Sequence, residues 1–450
     1  MIEQLSMELD LFFSDPPAEA EMLSITLPYL TRPFTAPVAP EEGVYWHCGE
    51  LHTRMLAIGD AWSVELQGDQ RMDQAEAAFS QLQRYWSAID PEEQGHAPRL
   101  YLQYAFDAND PMAQEWNPWP NTLLQLPRLQ LINQKGQQLL IFSHPITAEH
   151  TANTILQQWE EDLSTLQAIL EQNAPPLHSP LQSETSNESL LPLLTEAVDA
   201  VVDQPPLEKL VIGTAQTFQT SSPLPLQSAL QQLEKKHRKG TQLLYTSNQQ
   251  ALFAAPPEQL LHCKGNQLYT ESVAGTVPKG ESPEDQQRYA NRLLHNEKLR
   301  EEHQLVTDFI CDQLHDQQLN HGIQPEVHLM DHVQHLRTPL NFTITRPTSL
   351  FQLVKQLHQS PAICGTPRSA AFDWLTEHNN QQRGYYCGGA GWIDSEGNGT
   401  LHVLLRCGVQ QGAQVTLYAG AGVVAGSNAE EEQAEIQLKI DGLLQALSPS

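Results

Sequence analysis

The stretch LYAGAGVVAGSNAEEEQAEIQLK, from Leu417 to Lys439, decides how the rest of the chain is read. An apolar run that ends at Leu417 and Tyr418 gives way to small residues and two spaced glycines, Gly420 and Gly422. A polar turn follows, then a helix that opens on acidic residues. Glycine lets another group come close to the backbone, so a strand-to-helix passage of this kind offers N–H groups to an anion. Glu432, Glu435 and Lys439 recur at spacings of three and four, which places them on one helical face. Two carboxylates and an ammonium beside such a cradle suit an anionic ligand held through a hard cation. A solvated surface helix carries the same residues, and on these positions alone that plainer reading is favoured.

The 450 residues correspond to roughly three average domains, or to one or two large ones. Twenty-five basic residues against 54 acidic ones leave a net charge of −29. That balance argues against nucleic acid and against an anionic membrane surface as partners, because both need a basic footprint. It leaves room for a small anion, since a few local cations or one metal ion dominate a closed site. The cysteines at 48, 263, 311, 364, 387 and 407 form no C-x-x-C pair and no zinc-like spacing. Six thiols in so long a chain fit a reducing compartment. The opening MIEQLSMELDLFFSD lacks the basic and apolar regions of a secretory signal, and no apolar run approaches a membrane span. A cytoplasmic protein is expected.

Residues 21–145 read as strands, interrupted by one helix from Asp73 to Ile89 with Ala75, Phe79, Leu82 and Trp86 at helical spacing. A hairpin is expected around Asn133–Gly136. Ala148 to Glu171 reads as a helix, and the Pro/Ser/Asn-rich 172–188 as a linker. From Lys209 strands alternate with helices: a strand to Phe218, one long polar helix from Ser282 to Leu314, paired strands through Val424, and a closing helix from about Ala429 to Leu447. Strands joined through turns, with helices set apart, indicate an antiparallel α+β fold.

Eight stretches after residue 207 stand in the order of one known pattern: KLVIG from Lys209, PPEQL from Pro256, ESVAGT from Glu271, KLREEHQLV from Lys298, HQSPAICGTPR from His358, RGYYCGGAGW from Arg383, LLRCG from Leu404, and the opening stretch. They resemble the chorismate-utilising enzymes, a family that includes isochorismate, salicylate, anthranilate and aminodeoxychorismate synthases. The resemblance implies a large sandwich of two antiparallel sheets with helices outside. Residues 1–187 would complete the sandwich and 188–450 would form the chorismate-binding catalytic domain.

The same resemblance implies a site. Glu302 and Glu435 would hold Mg²⁺ against the ring carboxylate of chorismate, with Glu432 one turn before the second ligand; the matching position on the first helix is Leu299. Arg406 and Tyr386 would hold the enolpyruvyl carboxylate, with the N–H groups of Gly420 and Gly422. Lys439 would lie near the carboxylates, Gly275 and Thr276 would close beside the ring, and His358 would stand near it. Lys209 would be the general base and Glu258 the general acid for moving a hydroxyl from C4 to C2. Ammonia-using members generally lack this lysine, so no amidotransferase subunit is expected, and Ala362 stands where isochorismate synthases typically have alanine. Thr214 and Gln359 depart from the pattern's arginine and proline. The leading expectation is an isochorismate synthase serving menaquinone synthesis. The alternatives are the same reaction for a siderophore or salicylate, a chorismate-binding protein without turnover, and an ammonia-dependent subunit.

Overall fold

A computed structural model describes residues 1–450 except 18, 178–181, 184–189, 237–239, 322–323, 330–332, 380–381 and 449–450. Much of the expected linker, and the expected boundary at residue 187, lies outside the described residues.

Two sheets, of 13 and 10 strands among the described residues, pack face to face with the helices around them. The expected α+β sandwich is therefore the fold. Every described strand pair is antiparallel except Met22–Pro28 with Trp86–Ile89. Aromatic side chains interlock the layers: Trp46 of the larger sheet meets Trp392 of the smaller edge to face at 6.4 Å, and Tyr245 stacks on Tyr101 at 5.8 Å. Burying each such ring removes a large apolar area from water, and the aromatic pairing adds about 0.5–1.5 kcal/mol beyond that area.

Both sheets draw strands from distant parts of the chain. Gly43–Cys48 pairs with Thr241–Ser247, and Arg99–Tyr104 with Gly389–Asp394. The strand Lys209–Gln219 pairs along its whole length with Gln414–Val424, setting Val211 opposite Gly422 and Gly213 opposite Gly420.

Several expected elements divide. Asp73–Ile89 is a helix only to Arg84; Trp86–Ile89 turns into a strand beside Met22–Pro28, where Trp86 donates its indole N–H to Ser24. Sheet pairing thus overrides the helical spacing of Trp86. Ser282–Leu314 is two helices, Pro283–His295 and Glu297–Gln313, parted at Asn296. The extended backbone of Asn296 stops the first, and its side chain caps the second by accepting from the Leu299 N–H. An opening helix, Ile2–Ser14, buries Leu5, Leu9 and Phe12 on one face and had no counterpart in the sequence reading. The closing helix, Ala429–Leu447, stands as expected, with Asn428 at its cap.

Candidate active site

The Lys209–Gln219 strand, the Gln414–Val424 strand, the helix Glu297–Gln313 and the closing helix surround one cavity of about 120 Å³. All the site residues expected from sequence line it except His358 and Glu432.

Lys209 begins its strand with a side chain only 1% exposed, and its Nζ donates to Glu302 Oε1 at 2.9 Å. Two further pairs repeat the arrangement. Lys439 Nζ lies 2.9 Å from Glu435 Oε1, one helical turn away, and Lys298 Nζ lies 3.3 Å from Glu432. Each carboxylate implied for the cation therefore faces an ammonium. Burial works to raise the Glu302 carboxyl, but the charge and hydrogen bond of Lys209, aided by Lys439 and Lys298, hold it below its ordinary value. Glu432 goes the other way: burial and the Glu435 charge raise it, with Lys298 opposing. It stands behind the cavity wall.

Glu258 also lines the cavity and is buried. Burial, reinforced by the nearby charge of Glu271 and opposed by Lys209, pushes its carboxyl up to about 8. Glu271 is held from both sides: Oε1 accepts from the Gln259 N–H at 2.7 Å and Oε2 from Arg337 Nε at 2.5 Å. A carboxyl raised in this way is a proton donor at neutral pH.

The two glycines sit differently from the sequence reading. They lie inside a strand, not at a strand-to-helix turn. The opposite residue Val211 donates its N–H to the Cys364 carbonyl and accepts at its own carbonyl from Arg383, so it does not bond Gly422. Gly420 likewise turns its carbonyl to Lys439 Nζ at 2.7 Å. A residue in an antiparallel strand points its N–H and C=O to the same side. Both glycines thus direct their N–H groups to the open edge, beside Lys439 and the cavity. A Cβ on Gly422 would lie 2.9 Å from Glu302 Oε1 and 3.0 Å from Lys209 Cε, so glycine there leaves space for the ion pair.

Gly275 makes a β-bulge: the pairing with Val333–Thr343 slips between Ala274 and Thr276. Its φ of +74° and its closeness to the Leu299 carbonyl suit glycine. Leu299 takes the place of the implied acid by joining an apolar cluster with Val277, Leu293 and Leu336. Cys387 and Arg406 both line the cavity with positive φ, 64° and 47°, which non-glycine residues adopt at a cost of order 1–3 kcal/mol and chiefly at functional sites. Tyr386 stacks on Tyr418 at 5.6 Å beneath Gly420.

His358 stands behind the cavity wall. Its Nε2 bonds the Cys387 carbonyl at 3.0 Å, Tyr104 meets its ring edge to face at 4.9 Å, and it supports the cavity wall without lining it. Burial drives its imidazole down to about 3, so it is neutral. Gln359 has φ +59°, which the ring of the implied proline cannot adopt. Thr214 lies opposite Ala419, and nothing in the structure explains its replacing arginine. The residue missed from sequence is His335, which lines the cavity and shares a 3.1 Å hydrogen bond with Thr276. Its stretch reads only as an extended segment, and the bulge that sets it opposite Thr276 has no sequence signal beyond Gly275.

The chorismate binding enzyme family model matches residues 29–448. The chain belongs to that family. It is 27% identical over 412 residues to the salicylate biosynthesis isochorismate synthase of Pseudomonas aeruginosa, covering 90% of this chain and 84% of that one. The isochorismate synthase MenF of Bacillus subtilis is 22% identical over 412 residues, covering 90% and 87%. Among solved structures, the menaquinone-specific isochorismate synthase MenF of Escherichia coli superposes with a TM-score of 0.79 at 23% identity, over 100% of both chains. That last likeness establishes this chorismate-binding enzyme's fold.

Proposed function

We propose that this chain is an isochorismate synthase, converting chorismate to isochorismate. The observation that carries the reading is that Lys209, Glu258, Arg406, Lys439 and the glycine edge line one cavity, with burial pushing the Glu258 carboxyl up to about 8. Acting as base requires Lys209 to give up its ammonium proton first; the neutral amine then takes a proton from the attacking water as the water oxygen bonds to C2. Glu258 gives its proton to the C4 hydroxyl, which leaves as water while the ring double bonds shift. One water enters and one departs, so the product is an isomer; Lys209 ends with one proton more and Glu258 with one fewer, which exchange with solvent resets.

Arg406 and the N–H groups of Gly420 and Gly422 hold the side-chain carboxylate, and Thr276 and His335 bound the ring. Ala362, also on the cavity wall, leaves space that a threonine would fill. The donor set fits Mg²⁺: Glu302 and Glu435 supply hard oxygens from two helices, and two direct ligands suit a cation that keeps water and takes a substrate oxygen. When bound, Mg²⁺ would neutralise the ring carboxylate. No three metal-binding side chains converge among the described residues.

The pathway reading is menaquinone synthesis, supported by the full-length likeness to one menaquinone-specific relative. The name of the Pseudomonas relative favours salicylate as the second reading. The cell compartment in this reading is the cytoplasm, and no helix among the described residues is long and apolar enough to cross a membrane. The test is incubation of the purified protein with chorismate and Mg²⁺, without an ammonia source, followed by chromatography. Isochorismate alone is expected. Salicylate with pyruvate would add a lyase activity, and binding without product would overturn the enzymatic reading.

A further inference from the structure

A second cavity, of about 310 Å³, adjoins the first. The two share Pro257 and Arg406 as a common wall. Arg406 stands there on a backbone of φ +47°, between the two spaces. The charge of this cavity opposes that of the molecule. Lys235, Lys236, Arg337 and Arg406 line it against Glu50 and Glu271, in a chain of net charge −29. Glu271 is already engaged with Arg337 at 2.5 Å. Lys235 and Lys236 end the helix Leu226–Lys236, and the Lys235 ammonium has no carboxylate partner among the described residues.

The lining also holds an unsatisfied polar atom. His402 is 4% exposed, and its Nε2 shares a 2.9 Å hydrogen bond with Thr241 Oγ1. Its Nδ1 is buried with no partner. Burial lowers this imidazole to about 3, so it adds hydrogen-bonding capacity without charge. A dianion approaching so acidic a chain meets repulsion over most of its surface. A cleft of the opposite sign with low-dielectric walls focuses the field and gathers the anion locally.

We propose that this second cavity is an antechamber for a ring dicarboxylate, captured by Lys235 and Lys236 and passed to the catalytic cavity across Arg406. The inference rests on the chorismate reading, since that substrate and its isomeric product are both dicarboxylates.

The test is charge reversal in the full chain. Lys235→Glu with Lys236→Glu is expected to lower kcat/KM for chorismate about tenfold at low salt, the scale of electrostatic steering, with kcat within about twofold of the parent. At about 0.5 M salt, where charges act over roughly 4–5 Å, the gap should close. Arg84→Glu with Arg346→Glu makes the same change in net charge at exposed positions outside both cavities, and is expected to leave kcat/KM nearly unchanged. Equal losses in both double variants, or a fall in kcat matching that in kcat/KM, would overturn the antechamber. A parent without turnover would instead count against the proposed reaction. Calorimetric titration with isophthalate then decides: weaker binding in the lysine variant than in the arginine control supports the site, and equal binding overturns it.

Discussion

Lys209 Nζ donates to Glu302 Oε1 at 2.9 Å, which joins the proposed base to a proposed cation ligand inside the fold. Removing one partner strands the other's charge. Lys209→Ala is expected to abolish turnover while chorismate binding in the presence of Mg²⁺ survives. It should also cost about 3 kcal/mol of stability, the usual scale for breaking a buried pair. Added Mg²⁺ should recover part of the lost Tm in Lys209→Ala, and none in Lys209→Ala combined with Glu302→Gln. Thermal unfolding with and without Mg²⁺ checks this; near-normal turnover of Lys209→Ala would remove the lysine as base.

The second prediction concerns pH. Glu258 must carry its proton to act as the acid, so kcat should fall as pH rises through about 8. Glu271 contributes to that raised value, and Arg337 tempers Glu271. Glu271→Gln should therefore move the alkaline limb down. A merely structural disturbance would lower the rate at every pH and leave the position of the limb unchanged.

Acid stability follows from two histidines that lie outside the proposed chemistry. His358 and His402 are both held down to about 3 by burial. Their folded-state values lie below the unfolded ones, so their contribution is complete above about pH 6.5 and is lost as pH falls towards 3. Below pH 6.5 stability should decline by up to about 2.7 kcal/mol per pH unit for the two together. Urea unfolding at pH 7 and pH 5 measures the slope, and His402→Gln should lower it by up to about 1.4 kcal/mol per pH unit.

Space at Gly422 is the fourth test. Gly422→Ala puts a methyl against the Lys209–Glu302 pair, whose side-chain ends can shift aside. The fold should survive, with kcat lower by about 10²-fold, since displacement of catalytic groups by an ångström costs that much. A rate near the parent's would show that the pair's position is not critical.

The sequence carried the sandwich and about half of the cavity lining because the proposed chemistry depends on residue identity. Lys209, Glu258, Glu302, Glu435 and Arg406 are recognisable side chains in a fixed order along the chain. What it did not carry depends on backbone geometry. The bulge at Gly275 is what sets His335 opposite Thr276 at the cavity, and the bond of His358 Nε2 to the Cys387 carbonyl holds that ring behind the wall. The orientation of Gly420 and Gly422 required the ladder register with Val211 and Gly213. Trp86 looked helical because its spacing was right, and only the neighbouring strand at Met22 makes it extended.

The strand Gly43–Cys48 has a consequence for how the molecule comes into being. One of its neighbours, Thr241–Ser247, lies far down the chain; His47 and Gln242 are 195 residues apart. At about 5–20 residues per second of synthesis, that neighbour arrives roughly 10–40 s later. Until then a buried-type apolar edge, with Val44, Tyr45 and Trp46, emerges from the ribosome before the strand that will cover it. A nascent chain of this topology needs protection during translation, and its yield in the cell should depend on chaperone supply more than on the stability of the finished enzyme.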